Sequence, residues 1–369
     1  MRGIVFVGDG KAEVTDGLEV RDPGPTEVAV RIVNAGVCHS DISVIDGTIP
    51  WPTPAVLGHE GAGVVEAVGT AVSSLQPGDH VVLATIANCG MCAACNTGHP
   101  TWCRQTMGVM DKPFTFNGDP AWNFAATSVF AERTVVKETQ AVRIDDDVPL
   151  SSACLIGCGV LTGVGAALNR ARVQQGETAA VFGVGGVGLN VIQGLRIAGA
   201  SRVIAVDMVA AKEPLARQFG ATDFIDATDT DTVKAIRNLL PFEKDGKRTG
   251  PFGAGGVNWA FECVGNARVL RNAIDVLDWG GNCVIVGVPA FDVEFSALVT
   301  FFTHVDRGLL GCRYGSSRPH RDIPLLVELY KQGRLMLDEL VSATYPLEQF
   351  DTVVADLHDG KLARGVLQF

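Results

Sequence analysis

The chain has 369 residues, 47% of them hydrophobic, which is enough for two domains of ordinary size with a core in each. Its net charge of -11 and pI near 5.1 favour a small-molecule ligand, because nucleic acid and anionic membranes would repel an acidic chain without a basic patch. Residues 1–10 do not resemble a secretory signal, so we expect the ten cysteines to be reduced thiols and metal ligands in the cytoplasm.

The first part of the chain, up to about residue 145, is predicted to be mainly β. Short β-type runs alternate there with Gly, Pro and Asp turns, for example at 28–33, 63–68 and 80–83. The aromatic-rich stretch 112–127 is predicted to be irregular, as a substrate-facing lobe or as an ordered surface loop.

Four cysteines follow one another at the spacing C-x2-C-x2-C-x7-C: Cys89, Cys92, Cys95 and Cys103. This spacing allows one loop to fold all four thiolates around a single tetrahedral Zn2+. A closed four-sulfur site has no open position for a substrate, so it predicts a structural zinc and places the chemistry elsewhere.

The segment 148–169 carries no charge over a length that could span a bilayer. Four glycines and several hydroxyl residues interrupt it, and the sequence has no second segment of this kind. A buried segment between two domains is therefore favoured over a membrane span.

From about residue 171 to 290, short apolar strands alternate with helix-like runs. Strands are predicted at 178–184, 201–207, 257–263 and 282–288, and helices at 188–199 and 211–219. Such an alternation indicates βαβ units and a parallel, doubly wound sheet. The Gly-, Lys- and Pro-rich stretch 241–256 is predicted to be a surface loop.

The first of these strands leads into a glycine-rich turn with the spacing G-x-G-x-x-G, formed by Gly183, Val184, Gly185, Gly186, Val187 and Gly188. Glycines permit a tight turn and a close backbone approach, so the following helix can hold a pyrophosphate at its N-terminus. Asp207 ends the next strand, where a carboxylate would bind the adenosine ribose and repel a 2'-phosphate. The pattern therefore favours NAD over NADP.

Cys38, His59 and Cys158 are candidate ligands of a second metal ion. Two thiolates and one imidazole leave a fourth tetrahedral position open, as a catalytic zinc requires. Their separation along the sequence does not by itself show that they meet.

With these motifs assembled, the chain resembles the zinc-dependent medium-chain alcohol dehydrogenases over nearly its whole length. The motifs are the four-cysteine lobe, the glycine-rich turn, Gly58-His59-Glu60-x-x-Gly63, Ile156-Gly157-Cys158-Gly159-Val160, Phe261-Glu262-Cys263-Val264-Gly265 and Gly360-Lys361-Leu362-Ala363-Arg364. The resemblance implies an α/β protein in which a GroES-like, mainly β catalytic domain (1–159 and 307–369) encloses an NAD-binding Rossmann domain (160–306). It also implies an active site in the cleft between the domains, and a homodimer or homotetramer, with the dimer favoured.

By that resemblance, Cys38, His59 and Cys158 bind the catalytic zinc. Glu60 is implied to lie behind the metal, and Asp41 to orient the imidazole of His59, since a zinc-bound imidazole needs a partner that sets its tautomer. The resemblance implies two zinc ions per chain, one structural and one catalytic.

The implied activity is the interconversion of primary alcohols and aldehydes by hydride transfer to and from NAD, with zinc acting as a Lewis acid. Ser40 is expected to begin the proton relay. Ser43 replaces a histidine that several relatives carry at the outer end of the relay, so we expect the proton to leave through water or His39. Further residues implied at the cofactor are His39 and Arg364 near the pyrophosphate, Lys212 beside the ribose, Thr162 against the nicotinamide, and Val288.

The substrate is less defined by the sequence. Thr85 is small where some relatives place a bulky aromatic residue, which suggests medium-sized or aromatic alcohols. Five aromatic residues could line the pocket or could equally pack the domain core: Trp51, Phe114, Phe116, Trp122 and Phe124.

Two alternatives remain at this point. One is oxidation of a thiol adduct of formaldehyde with glutathione or mycothiol; against the glutathione branch, 48–51 lacks the acidic residues expected at the pocket mouth, and Met107 lies near the place of an expected arginine. The other is a zinc-stapled binding protein without catalysis, which the complete set of ligands and Ser40 disfavours.

Overall fold

The computed structural model describes residues 1–106, 110–241, 243–244, 247–248 and 255–369. The chain divides into two compact units, Met1–Leu161 with Ser317–Phe369, and Thr162–Ser316. Met107 and most of the predicted loop at 241–256 lie outside the described residues.

The amino-terminal part of the first unit is mainly β, as the sequence predicts. Its strands are β1 Gly3–Gly8, β2 Lys11–Thr15, β3 Leu18–Val20, β4 Glu27–Val37, β5 Ala55–Val56, β6 Glu60–Val68, β7 His80–Leu83, β8 Phe114–Phe116, β9 Asp119–Asn123, β10 Arg133–Lys137 and β11 Ala141–Arg143. Its helices are α1 His39–Ile45, α2 Ala93–Asn96, α3 Leu150–Ala153 and α4 Gly159–Gly165, which runs into the second unit. The chain between α3 and α4 forms a 3-10 turn, Cys154–Gly157.

The second unit is a parallel α/β sheet with strands β12 Thr178–Phe182, β13 Arg202–Asp207, β14 Asp223–Asp226, β17 Val257–Glu262, β18 Leu277–Ile285 and β19 Gly308–Gly311. A separate hairpin pairs β15 Glu243–Lys244 with β16 Lys247–Arg248. The helices of this unit are α5 Gly186–Ala198, α6 Glu213–Phe219, α7 Thr232–Leu239, α8 Ala267–Asp275 and α9 Thr300–Thr303.

The order of the parallel sheet is β14-β13-β12-β17-β18-β19. The chain builds outward from β12 through β13 and β14, then returns to the other side of β12 with β17. Open α/β sheets bind their ligands at such a reversal, outside the carboxyl ends of the strands. The loops that follow β12 and β17 are therefore where a nucleotide is expected.

The carboxyl-terminal part of the first unit contains α10 Pro319–Lys331, β20 Val341–Pro346, α11 Phe350–His358 and β21 Arg364–Gln368. The last strand pairs antiparallel with β4 and completes a sheet of order β11-β7-β6-β4-β21-β20, with β10 also paired to β4. A second sheet of this unit has the order β2-β1-β5-β9-β8-β3.

Two predictions from the sequence need correction. The stretch 112–127 is not irregular, because β8 and β9 form an antiparallel hairpin there around the turn at Asn117 and Gly118, both of which have positive φ. The strand predicted at 282–288 runs instead from Leu277 to Ile285, and a register shift against β17 accommodates its earlier start.

No single helix among the described residues has the length and hydropathy of a membrane span. One pair of helical segments passes the test of length and composition together, Leu150–Gly157 and Gly159–Ala171, and these are bent by 56° at the break between them.

Candidate active site

Cys38, His59, Glu60 and Cys158 come together in the first unit. One ligand atom of each lies within 4.8 Å of the others, and all four residues are buried. Pairing of β4 with β6 sets Gly36 opposite Glu60 and so brings Cys38, just beyond β4, to His59. Cys158 ends the 3-10 turn before α4, and Gly157 allows this approach because a Cβ there would collide with the carbonyl oxygen of Leu83.

The two cysteines of this group are suited to binding a cation. A hydrogen bond with Cys158 holds the pKa of Cys38 well below its ordinary value in spite of burial, and the same hydrogen bond, with burial, raises the pKa of Cys158. The pair therefore favours one thiolate and one thiol. A divalent cation would stabilise both as thiolates, which is the donor set that zinc prefers together with an imidazole.

Asp41 holds this group in place with both of its carboxylate oxygens. Oδ1 accepts a hydrogen bond from the amide of Gly58 (3.1 Å) and lies 3.0 Å from Nδ1 of His59, while Oδ2 accepts from the amide of Cys38 (3.0 Å). Asp41 is fully buried. Because Nδ1 of His59 is held by Asp41, Nε2 is the ring nitrogen left for a metal.

Glu60 and Arg364 form a buried ion pair beside the cysteines. Nε of Arg364 lies 3.3 Å from Oε2 of Glu60, and Nη2 lies 3.4 Å from Oε1 and 3.9 Å from Sγ of Cys38. Oε1 of Glu60 also accepts from the amide of Gly159. Burial raises the pKa of Glu60 to about 7, even though Arg364 lowers it. The structure thus places Arg364 on Glu60, a contact that the sequence motifs do not indicate.

The residues predicted to carry the proton lie on α1, next to Cys38. Oγ of Ser40 is 4.0 Å from Sγ of Cys38, and His39 is exposed at the start of the helix. Ser43 lies one turn further along the same helix and is half-buried. Ser40 and Ser43 are three residues apart on this helix and so lie on the same face of it.

Aromatic side chains lie against the metal-binding group. The ring of Phe124 meets that of His59 edge to face, with centroids 5.5 Å apart, and the ring of Trp51 meets Phe124 in the same way at 5.1 Å. Nε1 of Trp51 donates to the carbonyl oxygen of Asn123, which fixes the indole. Both aromatic residues also pack against the core of this unit.

The other aromatic pocket candidates lie elsewhere. Phe114 and Phe116 belong to a separate hydrophobic cluster with Leu18 and Val56, and Trp122 stacks under the ammonium group of Lys112. Of the five aromatic residues, Phe124 contacts His59 and Trp51 contacts Phe124.

Thr85 is buried, and its hydroxyl has no hydrogen-bond partner among the described residues. The antiparallel pairing of β6 and β7 sets Gly61 opposite Leu83. Thr85 follows two residues after the end of β7, and His59 precedes β6 directly. A buried hydroxyl without a partner has a free donor for a ligand that enters there.

The second group contains Cys89, Cys92, Cys95 and Cys103, whose sulfurs also lie within 4.8 Å of one another. Three of the sulfur pairs are separated by 3.6, 3.7 and 4.0 Å. Sulfurs at the corners of a tetrahedron around zinc, with bonds of about 2.3 Å, are about 3.8 Å apart. The amides of Met91 and Cys92 lower the pKa of Cys89 to about 6, which favours its thiolate. The four cysteines therefore fit a structural zinc.

The glycine-rich turn of the second unit has the geometry of a nucleotide site. Gly183 follows β12 with φ of +91°, and Gly185 precedes α5. A Cβ at Gly188 would collide with the carbonyl oxygen of Gly183, so the close packing of the turn on its helix needs glycine there. The turn leaves the N-terminus of α5 open to a pyrophosphate.

Asp207 ends β13 beside this turn. Its Oδ2 accepts from the amide of Val184 (2.7 Å), and Nζ of Lys212 lies 3.0 Å from the same oxygen. Asp207 and Lys212 are thus paired beside the glycine-rich turn. Thr162 is buried on α4, while Val288 is exposed in the loop after β18.

Val264 is a further apolar residue at this edge of the sheet, and its family motif alone did not indicate a place beside the glycine-rich turn. It follows β17, is 52% exposed, and lies beside Gly183. A large exposed apolar side chain next to a nucleotide-binding turn is a signal that only the structure provides, because exposure is not visible in the sequence.

The comparisons with known proteins agree with this architecture. The family model for the alcohol dehydrogenase GroES-like domain matches residues 24–146, and the family model for zinc-binding dehydrogenases matches residues 186–332. The chain is 38% identical to S-(hydroxymethyl)glutathione dehydrogenase of Haemophilus influenzae, over 95% of this chain and 93% of that protein. It is 37% identical to alcohol dehydrogenase class-3 of Drosophila melanogaster, over 97% and 95% of the two chains.

Among solved structures, benzyl alcohol dehydrogenase from Acinetobacter calcoaceticus is similar, with a TM-score of 0.90 and 33% identity over 100% of this chain and 99% of that one. The family can be assigned from three findings: the extent of this identity, the two family matches, and the two cysteine-containing groups that fit zinc. The chain therefore belongs to the zinc-dependent medium-chain alcohol dehydrogenase family, as an NAD-dependent zinc enzyme.

Proposed function

We propose that this enzyme interconverts primary alcohols and aldehydes of medium size or with an aromatic ring, using NAD and a zinc ion held by Cys38, His59 and Cys158. The observation that carries the proposal is the edge-to-face contact of Phe124 with His59, backed by Trp51. A substrate beside this imidazole meets aromatic carbon, which favours an apolar or aromatic group over a highly charged one.

The residues of the site have separate roles in this proposal. When bound, zinc supplies Lewis-acid chemistry at the alcohol or carbonyl oxygen. Asp41 holds the tautomer of His59, and the hydroxyl of Ser40 accepts the proton of the alcohol while it donates its own proton to the next member of the relay. The aromatic pair Trp51 and Phe124 keeps water away from one side of the site.

Beyond Ser40, we propose that the proton leaves through water or His39, because Ser43 is a poor base at the place of a relay histidine. His39 is exposed one residue from Ser40 on α1. The test is the pH profile of hydride transfer in His39→Ala. A profile for alcohol oxidation that loses its fall at low pH supports His39 as the outlet, because a proton acceptor is inactive when protonated, and an unchanged profile assigns the outlet to water.

Two properties of Thr85 favour a substrate larger than ethanol: its small side chain and its buried hydroxyl, which is available for a hydrogen bond. Its short side chain leaves room that an aromatic residue would fill, and its hydroxyl is buried without a partner among the described residues. A bulkier side chain there should narrow the pocket. Thr85→Phe is therefore expected to shift preference from benzyl alcohol toward ethanol.

A second candidate is oxidation of S-hydroxymethyl adducts of glutathione or mycothiol. The names of several similar proteins favour it, since those proteins are S-(hydroxymethyl)glutathione dehydrogenases. Against it, neither the aromatic pair Trp51 and Phe124 nor the uncharged segment 48–51 provides the acidic residues expected to bind the glutathione moiety.

Kinetics with a panel of substrates distinguishes the two. We expect kcat/KM to rise from ethanol to hexanol, benzyl alcohol and cinnamyl alcohol, and formaldehyde to react no faster when glutathione or mycothiol is added. A thiol-dependent rate with formaldehyde that exceeds the rate with every simple alcohol would overturn the first proposal and establish the second.

We further propose the domain limits 1–159 with 307–369 and 160–306, a homodimer and a cytoplasmic location. All ten cysteines lie in the described part of the chain and none forms a disulfide, which supports a reducing compartment. Sedimentation equilibrium tests the dimer: a mass of twice 38.9 kDa is expected, and a monomer or tetramer would contradict it.

A further inference from the structure

Glu262 is a buried carboxylate outside both metal-binding groups, and the reaction described above does not use it. We propose that Glu262 is a positioning residue for NAD: it holds the loop 263–266 as one wall of the nucleotide crevice. The proposal concerns the cofactor and does not depend on which alcohol is the substrate.

The carboxylate of Glu262 accepts hydrogen bonds from the backbone amides of the loop that follows it. Oε1 of Glu262 accepts hydrogen bonds from the amides of Val264 (2.8 Å) and Gly265 (2.8 Å), and a longer one from Asn266 (3.4 Å). The side chain of Asn266 then accepts from the amides of the first turn of α8 and begins that helix. One oxygen therefore fixes the course of the chain from the end of β17 to α8.

This loop lies at the point where the sheet reverses its order. Glu262 pairs with Phe182 at the end of β12, and the amide of Cys263 donates to the carbonyl oxygen of Phe182. A Cβ at Gly183 would lie 2.7 Å from a methyl carbon of Val264, so the pyrophosphate-binding turn packs directly on the loop. A displacement of the loop would therefore reach the turn that holds the cofactor.

The loop after β18 packs on the other side. The amides of Val286 and Gly287 both donate to the backbone oxygen of Glu262 at 2.8 Å, and a Cβ at Gly265 would lie 2.7 Å from the carbonyl oxygen of Val288. Val264 and Val288 are 52% and 67% exposed, although they are large apolar residues. Glu262 thus joins two loops that present apolar side chains at the carboxyl edge of the sheet.

Burying a charged carboxylate at this place costs free energy, and an apolar side chain could fill the same space without that cost. Burial raises the pKa of Glu262, and the three amides oppose that rise. Three successive amides turned toward one point form a natural anion-binding concavity. Glu262 occupies it from within the chain, which keeps the loop in one conformation before the cofactor arrives. Preorganisation of this kind increases affinity by lowering the cost of ordering on binding.

The test measures NADH binding by fluorescence in the full chain without alcohol, so a wrong substrate assignment does not affect it. Glu262→Gln keeps an accepting oxygen, whereas Glu262→Met keeps the length of the side chain without one. Asn258→Ala is the matched control, because Asn258 lies at the opposite end of β17 and its Oδ1 accepts from the amide of Thr178.

We expect Glu262→Met to raise the Kd for NADH by about tenfold and Glu262→Gln by less than about threefold. Asn258→Ala should lower the melting temperature and leave Kd within about twofold of the wild type. In steady state, KM for NAD should rise in Glu262→Met while KM for the alcohol stays the same.

The proposal fails if folded Glu262→Met binds NADH as the wild type does, since Glu262 would then only stabilise the fold. It also fails if Glu262→Gln is as weak as Glu262→Met, because the charge and not the accepting oxygen would be decisive. If Glu262→Met does not fold, Glu262→Asp replaces it: the shorter side chain withdraws the oxygen from the amides, and unchanged NADH affinity in that variant overturns the proposal.

Discussion

Asp41 offers the sharpest test of how the candidate zinc site is built. Its two oxygens accept from three donors, the amides of Cys38 and Gly58 and Nδ1 of His59. Asp41→Ala leaves all three donors buried without this acceptor. Each unsatisfied buried donor costs about 1–3 kcal/mol, so we expect the free energy of unfolding to fall by at least about 3 kcal/mol.

Asp41→Asn separates stability from metal binding. An amide has one accepting oxygen, so an NH2 group that faces His59 and Gly58 removes both of their hydrogen bonds. If the oxygen faces them instead, the neutral amide is still a weaker acceptor for Nδ1 of His59 than the carboxylate is. Loss of an outer partner of a zinc-bound histidine typically lowers metal affinity about 10–100-fold. We therefore expect Asp41→Asn to fold, to bind zinc at this site about 10–100-fold more weakly in competition with a chelator, and to lose activity in parallel.

Asp79→Asn is the control, because Asp79 is also buried and its carboxylate accepts from the amide of Gln76. Urea unfolding should show a loss of stability in both variants, while only Asp41→Asn loses affinity for zinc. Wild-type zinc affinity and activity in folded Asp41→Asn would refute the assigned role of Asp41.

Three further predictions concern separate parts of the molecule. Cys95→Ser should lose one zinc per chain by metal analysis and keep the other wherever it stays folded; loss of both metals from a folded variant would contradict the division into two sites. Phe124→Ala should lower kcat/KM for benzyl alcohol about tenfold more than for ethanol, because it removes apolar contact area that only the larger substrate uses; equal losses would remove Phe124 from the pocket. Asp223 accepts two hydrogen bonds from Arg202, which hold the pKa of Asp223 below its ordinary value. The pair therefore stabilises the fold above the unfolded pKa of an aspartate, by about 1 kcal/mol or less since it is partly exposed, and loses this effect as pH falls through the folded pKa. Urea unfolding of Asp223→Asn against wild type should show a difference at pH 7 that disappears near pH 2, and a difference independent of pH would contradict the assignment.

The sequence predicted those parts of the fold that depend on local spacing. The four cysteines of the structural group lie within 15 positions and the glycine-rich turn within six, so their geometry follows from short stretches of chain. The parallel sheet follows in the same way from alternating strands and helices. Predicted element ends differ from the observed ones where a turn or bulge intervenes, as at the start of β18.

Features that depend on tertiary packing were not predictable in this way. Phe114 and Phe124 are both aromatic residues of one stretch, yet the first is buried in a separate cluster and the second meets His59. The contact of Arg364 with Glu60 joins residues 304 positions apart. Such contacts require the register of whole sheets, which residue spacing alone does not give. The proposed zinc ligands were identified through the family motifs, and their assembly is visible only in the structure.

We propose that NAD-linked oxidation of alcohols by this enzyme requires a zinc ion held by Cys38, His59 and Cys158. The most direct measurement combines metal analysis with NADH formation from benzyl alcohol and NAD, for the wild type and for Cys158→Ala. We predict two zinc ions per chain and NADH formation in the wild type, and one zinc ion with no NADH above background in folded Cys158→Ala. NADH formation at the wild-type rate by the folded variant that lacks this zinc would contradict the account.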